Sequence, residues 1–362
     1  MALVQPMFSP MLSSRSSTPH TLTLVRTHAA GDLLMLTALL PALKARYARV
    51  ELVVSEPFAT VLQGHPLLDA QYVIPHGKLG NPWRMYQLKQ KVKQVLAEQS
   101  PVSKAQRHVV YLTYPSGLQS LGQLQALLLH QPWLPHFLQT ALTPKEHLLQ
   151  HFAKQVALSE PLSVLEAALS LPPLHTETPY PLPLARLQKA VVIQTRASVI
   201  KKEWPLAFWE TWVQHMQTLY PDTPLLRIGS AGYHPPLAGV VDIETPHLHD
   251  AFALLAQCRL FIGLDSVFNH AMQALQKPSI ILYGATHPAR FGYQAHANIW
   301  KGQCRQFPHL RFPAMAGEDG QGQGVTLQAM QRFQKQGYHP AMLHTTPECL
   351  VAVTQACLSS LS

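Results

Sequence analysis

Charge is scarce in this sequence, and acidic charge most of all. Only 13% of its 362 residues are Asp, Glu, Lys or Arg, and just 19 are acidic. Hydrophobic residues make up 47%, which excludes an intrinsically disordered chain. Cysteine is also rare. Cys258, Cys304, Cys349 and Cys357 are the only four, none in a CxxC pair, so they read as reduced thiols rather than as bridges or a zinc site. Eighteen glycines exclude a collagen-like repeat. No apolar run reaches the roughly 18–20 residues that span a bilayer. The best stretch, 33–43, is stopped by Lys44 and reads as an amphipathic helix. The first 20 residues lack the basic start and compact apolar block of a signal peptide. Residues 1–19 therefore read as a flexible lead-in, and the expected location is cytoplasmic.

What is present is a basic excess: 28 Lys and Arg, giving +9 with histidines neutral. It favours an anionic partner (nucleic acid, phosphorylated ligand or acidic membrane surface) without choosing among them. No run of five basic residues occurs, and Lys89, Lys91 and Lys93 read as a solvated helix face. A chain this long exceeds what one hydrophobic core usually serves, so two domains are expected.

Strand-like and helix-like segments alternate, the pattern of an α/β chain with parallel sheets. Strands are expected at 21–25, 50–54, 73–74 and 109–113, with helices at 31–45, 82–97, 118–129 and 145–157. Five prolines within 171–184 (LPPLHTETPYPLPL) mark an extended linker. The alternation then restarts, with strands at 190–194, 224–228, 240–243, 260–263 and 279–283, the last closing the series. Helices are expected at 206–219, 250–257, 268–275 and 347–358, and a flexible loop at 317–324. The division that follows is an N-terminal Rossmann-like domain over 20–170, a linker over 171–187, a C-terminal Rossmann-like domain over 188–340, and a terminal helix over 341–362. Ligands of such sheets sit outside the carboxyl ends of the strands.

Four strand-to-helix turns carry reactive or anion-binding side chains. Asp32 follows the first strand behind the small residues Ala29, Ala30 and Gly31, which leave room for a ligand. It reads either as a general base or as a helix N-cap. Lys201 and Lys202 lie before Trp204 and Pro205, and either lysine can neutralise a phosphate, with Ser198 four residues upstream of Lys202. Asp265 and Ser266 end a strand where a helix begins, an anion site or merely a cap; His270 follows in that helix. The stretch 282–288 (LYGATHP) reads as a turn or a loop closing over a ligand, with Thr286 at its centre. Gly229, in the turn after strand 224–228, completes the set.

In order and spacing these motifs resemble glycosyltransferase family 9, which contains the lipopolysaccharide heptosyltransferases. The likeness lies in LVRTHAAGDLLMLTALLPALKARY (24–47), VELVVSEPFATVLQGHPLLDAQYVI (50–74), ASVIKKEWP (197–205) and LDSVFNHAMQALQKPSIILYGATHP (264–288). It implies a GT-B fold of two Rossmann-like domains facing a central cleft, acceptor on the first and nucleotide-sugar on the second. It implies inverting, metal-independent transfer of a sugar, often heptose from ADP-heptose, to a lipopolysaccharide-core or similar glycolipid acceptor. By the same analogy Asp32 is the catalytic base. Ser198 and Lys202 contact the donor phosphates, Asp265 holds sugar hydroxyls, and Ser266 with the helix start holds the diphosphate. His270 supports that loop. Val267 stands where the family has glycine. Gly31, Thr286 and Gly229 are further cleft contacts, and no cofactor, metal or nucleic acid is expected. Contact with the inner-membrane surface would be peripheral. Two rival readings remain: a noncatalytic glycosyltransferase-like binding protein, motivated by Val267, and a dinucleotide oxidoreductase, disfavoured by the absence of GxGxxG in the first turn.

Overall fold

The computed structural model describes residues 20–76, 82–112, 146–174, 182–229, 235–310 and 327–361. The expected helix at 118–129 and the loop at 317–324 lie outside these residues. Two sheets form. The first contains β1 (Thr21–Val25), β2 (Arg49–Ser55), β3 (Ala70–Ile74) and β4 (Arg107–Tyr111), all parallel, in the order β3-β2-β1-β4. The second contains β5 (Val191–Ile193), β6 (Leu225–Gly229), β7 (Val241–Glu244), β8 (Leu260–Leu264), β9 (Ser279–Tyr283), β10 (Ala297–Trp300) and β11 (Gln303–Cys304). Its order is β11-β10-β9-β8-β5-β6-β7, parallel except for β11. The series thus does not close at 279–283. β10 adds beside β9, and the two-residue turn Lys301–Gly302, both at positive φ, folds β11 back as a hairpin.

Period-two alternation decides which side of each strand meets which layer. In the first sheet Val25, Val53, Tyr72 and Ile74 face Val92, Val95 and Leu96 of helix Pro82–Gln99. Leu22, Leu24, Val50, Leu52 and Val54 face the opposite way, into a core shared with the second sheet. From that second sheet Val192, Leu226, Ile228, Phe261, Ile281 and Tyr283 enter the same core. Their neighbours Val191, Ile193, Leu225, Ile262 and Leu282 point outward to a separate layer.

The shared layer holds α1 (Ala30–Leu36), α2 (Leu40–Arg46), α4 (Leu148–Gln155), α5 (Leu162–Ala167), α7 (Leu248–Gln257) and α8 (Val267–Ala274); α3 is the outer helix Pro82–Gln99. The outer layer on the second sheet is α6 (Leu206–Leu219), α9 (Leu327–Lys335) and α10 (Pro347–Ser360). Trp204, Trp209 and Trp212 stack edge-to-face there, with centroids 5.0 and 5.8 Å apart. The terminal helix α10 therefore packs on α6 within the second half. The helix expected over 31–45 divides into α1, a 3-10 turn at Thr37–Leu39, and α2. Pro41 has no N–H to give Thr37, so the ladder tightens at that point. No described helix is long and apolar enough to cross a membrane.

Glu51 on β2 is wholly buried. Its carboxylate accepts hydrogen bonds from Thr23 Oγ1 (2.9 Å), Arg49 Nε (2.7 Å) and Tyr72 OH (3.0 Å), with Arg107 Nε at 3.7 Å. Glu51→Ala leaves the buried hydroxyls of Thr23 and Tyr72 without this acceptor and removes the carboxylate facing Arg107. Urea unfolding should show a loss of about 3–5 kcal/mol, the range for breaking one side of a buried ion pair.

Candidate functional site

Each sheet has one point where the chain reverses its direction of travel. In the first sheet the strands run from β1 outward through β2 and β3, and β4 then returns to the other side of β1. In the second they run from β5 to β7, and β8 returns beside β5. Loops at such points diverge to opposite faces and leave a crevice at the carboxyl ends. Asp32 follows β1. Lys202 follows β5, and Asp265 follows β8. The reactive side chains singled out from sequence thus sit at the two switch points.

Asp32 lies in the first turn of α1 and is 6% exposed. It does not cap the helix. The N-cap position is Ala29, at φ 63° with no side-chain cap bond, a costly conformation for a residue with a Cβ. The Asp32 carboxylate is instead paired with the Arg26 guanidinium, which has left β1 and also donates to Leu112 O at 2.8 Å. Leu112 follows β4, so Arg26 bridges the switch point. Burial raises the Asp32 pKa above the usual carboxylate range. Arg26 opposes that rise, Asp265 adds to it and Lys202 lowers it again. A carboxylate of the first half therefore lies in the electrostatic field of both charged groups of the second.

Across from it Lys202 Nζ bonds Asp265 Oδ2 at 2.8 Å and Asp265 O at 3.3 Å. The Lys202 side chain is 26% exposed and that of Asp265 4%. An ammonium has three N–H donors, so the pair fixes the lysine without exhausting it. Ser266 is the N-cap of α8. Its hydroxyl accepts from Phe268 N and donates to Gln194 Oε1 at 2.8 Å. Both of its hydrogen-bonding functions are thus engaged within the protein. Phe268 N and Asn269 N both donate to Ser266, so the N–H of half-buried Val267, at the start of the first turn, is the group of α8 best placed to meet an anion.

Ser198 is exposed on the loop after β5, Gly229 ends β6, and Thr286 follows β9. The turn after Gly229, with Tyr233 and His234, lies outside the described residues. Its neighbour in register is Glu244, at the carboxyl end of β7.

The small size of Gly31 admits the other half of the protein. A Cβ built on Gly31 would lie 2.6 Å from His270 Cδ2 and 3.6 Å from Val267 Cα. His270 in turn is held by Tyr293 OH, 2.6 Å from its Nδ1. His147, just before α4, bonds Gly292 O at 3.1 Å and packs on the Tyr293 ring. His296 Nδ1 meets Asn269 Oδ1 at 2.9 Å. Burial drives the pKa of His270 and of His147 down to about 4, and that of His296 to about 3. These imidazoles are neutral at pH 7, so His270 serves as packing and support rather than as a proton donor.

Arg26, Gln194, Tyr293 and His147 are the residues that sequence reasoning missed. Only Arg26 left a signal: a lone charge ending a five-residue apolar strand, six positions before an aspartate.

Comparison with known proteins places this geometry in context. Residues 245–311 match the model of glycosyltransferase family 9 (heptosyltransferase), a segment that includes Asp265, Ser266, His270 and Thr286. The resemblance read from the sequence is borne out there, while Asp32 and Lys202 lie outside the matched segment. A search of curated proteins by sequence found no match. Among solved structures, the chain is similar to the Escherichia coli heptosyltransferase WaaC with ADP, at 19% identity and TM-score 0.52, over 87% of this chain and 99% of that one. It is similar to a family 9 glycosyltransferase from Veillonella parvula at 14% identity and TM-score 0.57, over 95% and 98%. It is also similar to the dodecameric iron-containing heptosyltransferase TibC of enterotoxigenic E. coli, in complex with ADP-D-beta-D-heptose, at 15% identity and TM-score 0.57, over 99% and 82%. At these identities the likeness is one of fold: two Rossmann-like parallel sheets in the GT-B arrangement.

Two outcomes are expected. Gly31→Ala forces His270 away from Tyr293 and should cost about 1–3 kcal/mol, as overpacking does, measured by urea unfolding. The histidines give a pH dependence of definite sign. Between pH 6.5 and about 4 the unfolded chain binds protons that the buried imidazoles refuse. Stability should be full above pH 6.5 and fall as pH drops through that window. His270→Gln should flatten part of the slope in a series of thermal melts.

Proposed function

From a chain that carries a glycosyltransferase family 9 segment on a fold shared with heptosyltransferases, we propose an inverting, metal-independent glycosyltransferase. Its donor would be a nucleotide-sugar, ADP-heptose, and its acceptor a lipopolysaccharide-core or similar surface glycan. The observation that carries the reading is the meeting of Asp32 with Lys202 and Asp265. One half of the protein contributes the carboxylate, the other a cation and a helix start. Inversion asks for that division, since the attacking hydroxyl and the departing diphosphate must lie on opposite faces of the sugar.

In this reading Asp32 takes the proton of the acceptor hydroxyl as its oxygen attacks the anomeric carbon. Its raised pKa makes it a better base than a solvated carboxylate. Arg26 holds it in place and opposes the rise that burial causes. The bond to the nucleoside diphosphate breaks, and the charge that builds on the leaving group meets Lys202 and the Val267 N–H at the start of α8. Asp265 is placed to accept from sugar hydroxyls while it orients Lys202. In this reading charge stabilisation is assigned to these groups.

The donor assignment is supported by the ADP and ADP-heptose named for WaaC and TibC. A basic chain of +9 suits a phosphorylated glycolipid met peripherally at a cytoplasmic membrane face.

The test is ADP release from ADP-heptose in the presence of deacylated lipopolysaccharide core, with and without EDTA. Turnover should survive EDTA. Asp32→Asn should lower kcat about 10²–10⁴-fold, the usual worth of a general base, with ADP affinity by calorimetry nearly unchanged. Lys202→Ala should weaken ADP binding. Because Arg26 holds the Asp32 pKa down, Arg26→Gln should move the acid limb of kcat to higher pH. Normal turnover by Asp32→Asn would remove the base assignment.

A further inference from the structure

Beyond Asp32, the carboxyl edge of the first sheet carries a group of rings that the reading above does not use. The loops after β1, β2 and β3 each supply one. His28 follows β1, Phe58 lies in the 3-10 turn Glu56–Phe58 after β2, and His76 follows β3. The ring centroids of His28 and His76 are 5.5 Å apart with their planes tilted by 47°, and those of Phe58 and His76 are 6.2 Å apart, edge-to-face at 74°, so the three rings offer faces and edges in different directions rather than one flat surface. His76 is exposed, while His28 and Phe58 are half-buried. These strands are adjacent in the order β3-β2-β1, so three successive loops converge on one spot.

The arrangement is built rather than incidental. Thr27 Oγ1 and His28 Nδ1 are 2.8 Å apart, which fixes the His28 ring. Ser55 Oγ donates to Thr27 O at 2.7 Å, and Arg26 N to Val53 O at 3.0 Å, tying the β1 loop to the end of β2. Ala29, at φ 63°, turns the chain between His28 and α1, so that His28 and Asp32 belong to one tight turn. Strain of this kind persists where the surrounding structure over-determines it.

We propose that His28, Phe58 and His76 form a saccharide-binding platform beside Asp32, which seats a pyranose ring of the acceptor. The proposal rests on the transferase reading for its role, but its ligand class follows from the rings. A pyranose presents apolar C–H faces flanked by hydroxyls. Aromatic and imidazole rings pack on the first, and imidazole nitrogens exchange hydrogen bonds with the second. The Glu56 carboxylate, exposed on the same 3-10 turn as Phe58, is a further acceptor for hydroxyls. Ligand pockets of this kind combine ring surfaces with a few convergent polar groups.

The experiment has two arms on the full-length protein. In the first, saturation-transfer NMR follows methyl glucoside, methyl mannoside, glucose 6-phosphate and deacylated lipopolysaccharide core. In the second, calorimetry follows ADP. The platform predicts saturable contact with the neutral glycosides and with the core oligosaccharide. It predicts loss of that contact in His76→Ala, His76→Gln and Phe58→Ala, with ADP affinity unchanged. In turnover assays the same variants should raise acceptor KM about fivefold to tenfold, the size of one ring-stacking contact, while donor KM and kcat hold within twofold. Failure of His76→Gln to restore binding marks the ring, and not a hydrogen bond, as the working part. Contact confined to glucose 6-phosphate would overturn the neutral-ring assignment. Saccharide contact unaltered in all three variants, with ADP bound normally, would overturn the platform and leave the transferase standing. Loss of ADP binding in the wild type would instead overturn the transferase, while the ring contacts would still be read from the first arm.

Discussion

The close approach of α1 to α8 is the contact on which the rest depends. Gly31 lets the first turn of one helix rest on His270 of the other, at a distance that a single methyl would forbid. This places Asp32 from the first sheet within reach of the charges of Lys202 and Asp265 from the second. Without it, the two switch points would be separate crevices of two ordinary α/β sheets. With it, they become two walls of one site.

The layers around that contact explain why it is maintained. The inner faces of both sheets and the helices between them form one continuous apolar core, so the halves do not meet through a thin polar seam. Three buried imidazoles near the junction each have a directed bond: His270 to Tyr293, His147 to Gly292 and His296 to Asn269. A buried imidazole that stays neutral supplies shape and one or two directed bonds without the desolvation cost of a charge. Two charged pairs stand at the carboxyl ends of strands: Arg26 with Asp32, both buried, and buried Asp265 with Lys202, whose side chain is 26% exposed. Such pairs are weak sources of stability, and both stand where the proposed function would use them.

The site's chemistry is divided between rigid and committed groups. Ser266, an attractive phosphate ligand in sequence, spends its hydroxyl on Gln194 and on capping α8. That leaves the backbone N–H of Val267 to meet an anion, and a backbone group depends less on side-chain identity. In the proposed reading the side chain of Val267 would matter less than its N–H.

The sequence by itself determined the alternation of strands and helices and the positions of Asp32, Lys202 and Asp265 where strands give way to helices. Helix Leu206–Leu219 and strand Ser279–Tyr283 have the bounds read from sequence, since apolar periodicity is a local property. Pro41, itself a local feature, divides one expected helix in two. Tertiary structure alone decided that β10 and β11 extend the second sheet beyond β9. Above all, Gly31 proved to be reserved for His270, a residue 239 positions away, and Arg26 proved to be the partner of Asp32. Local pattern fixes which face of a segment is apolar. Which distant segment that face will meet is settled by packing two sheets against one layer of helices, and no spacing along the chain records it.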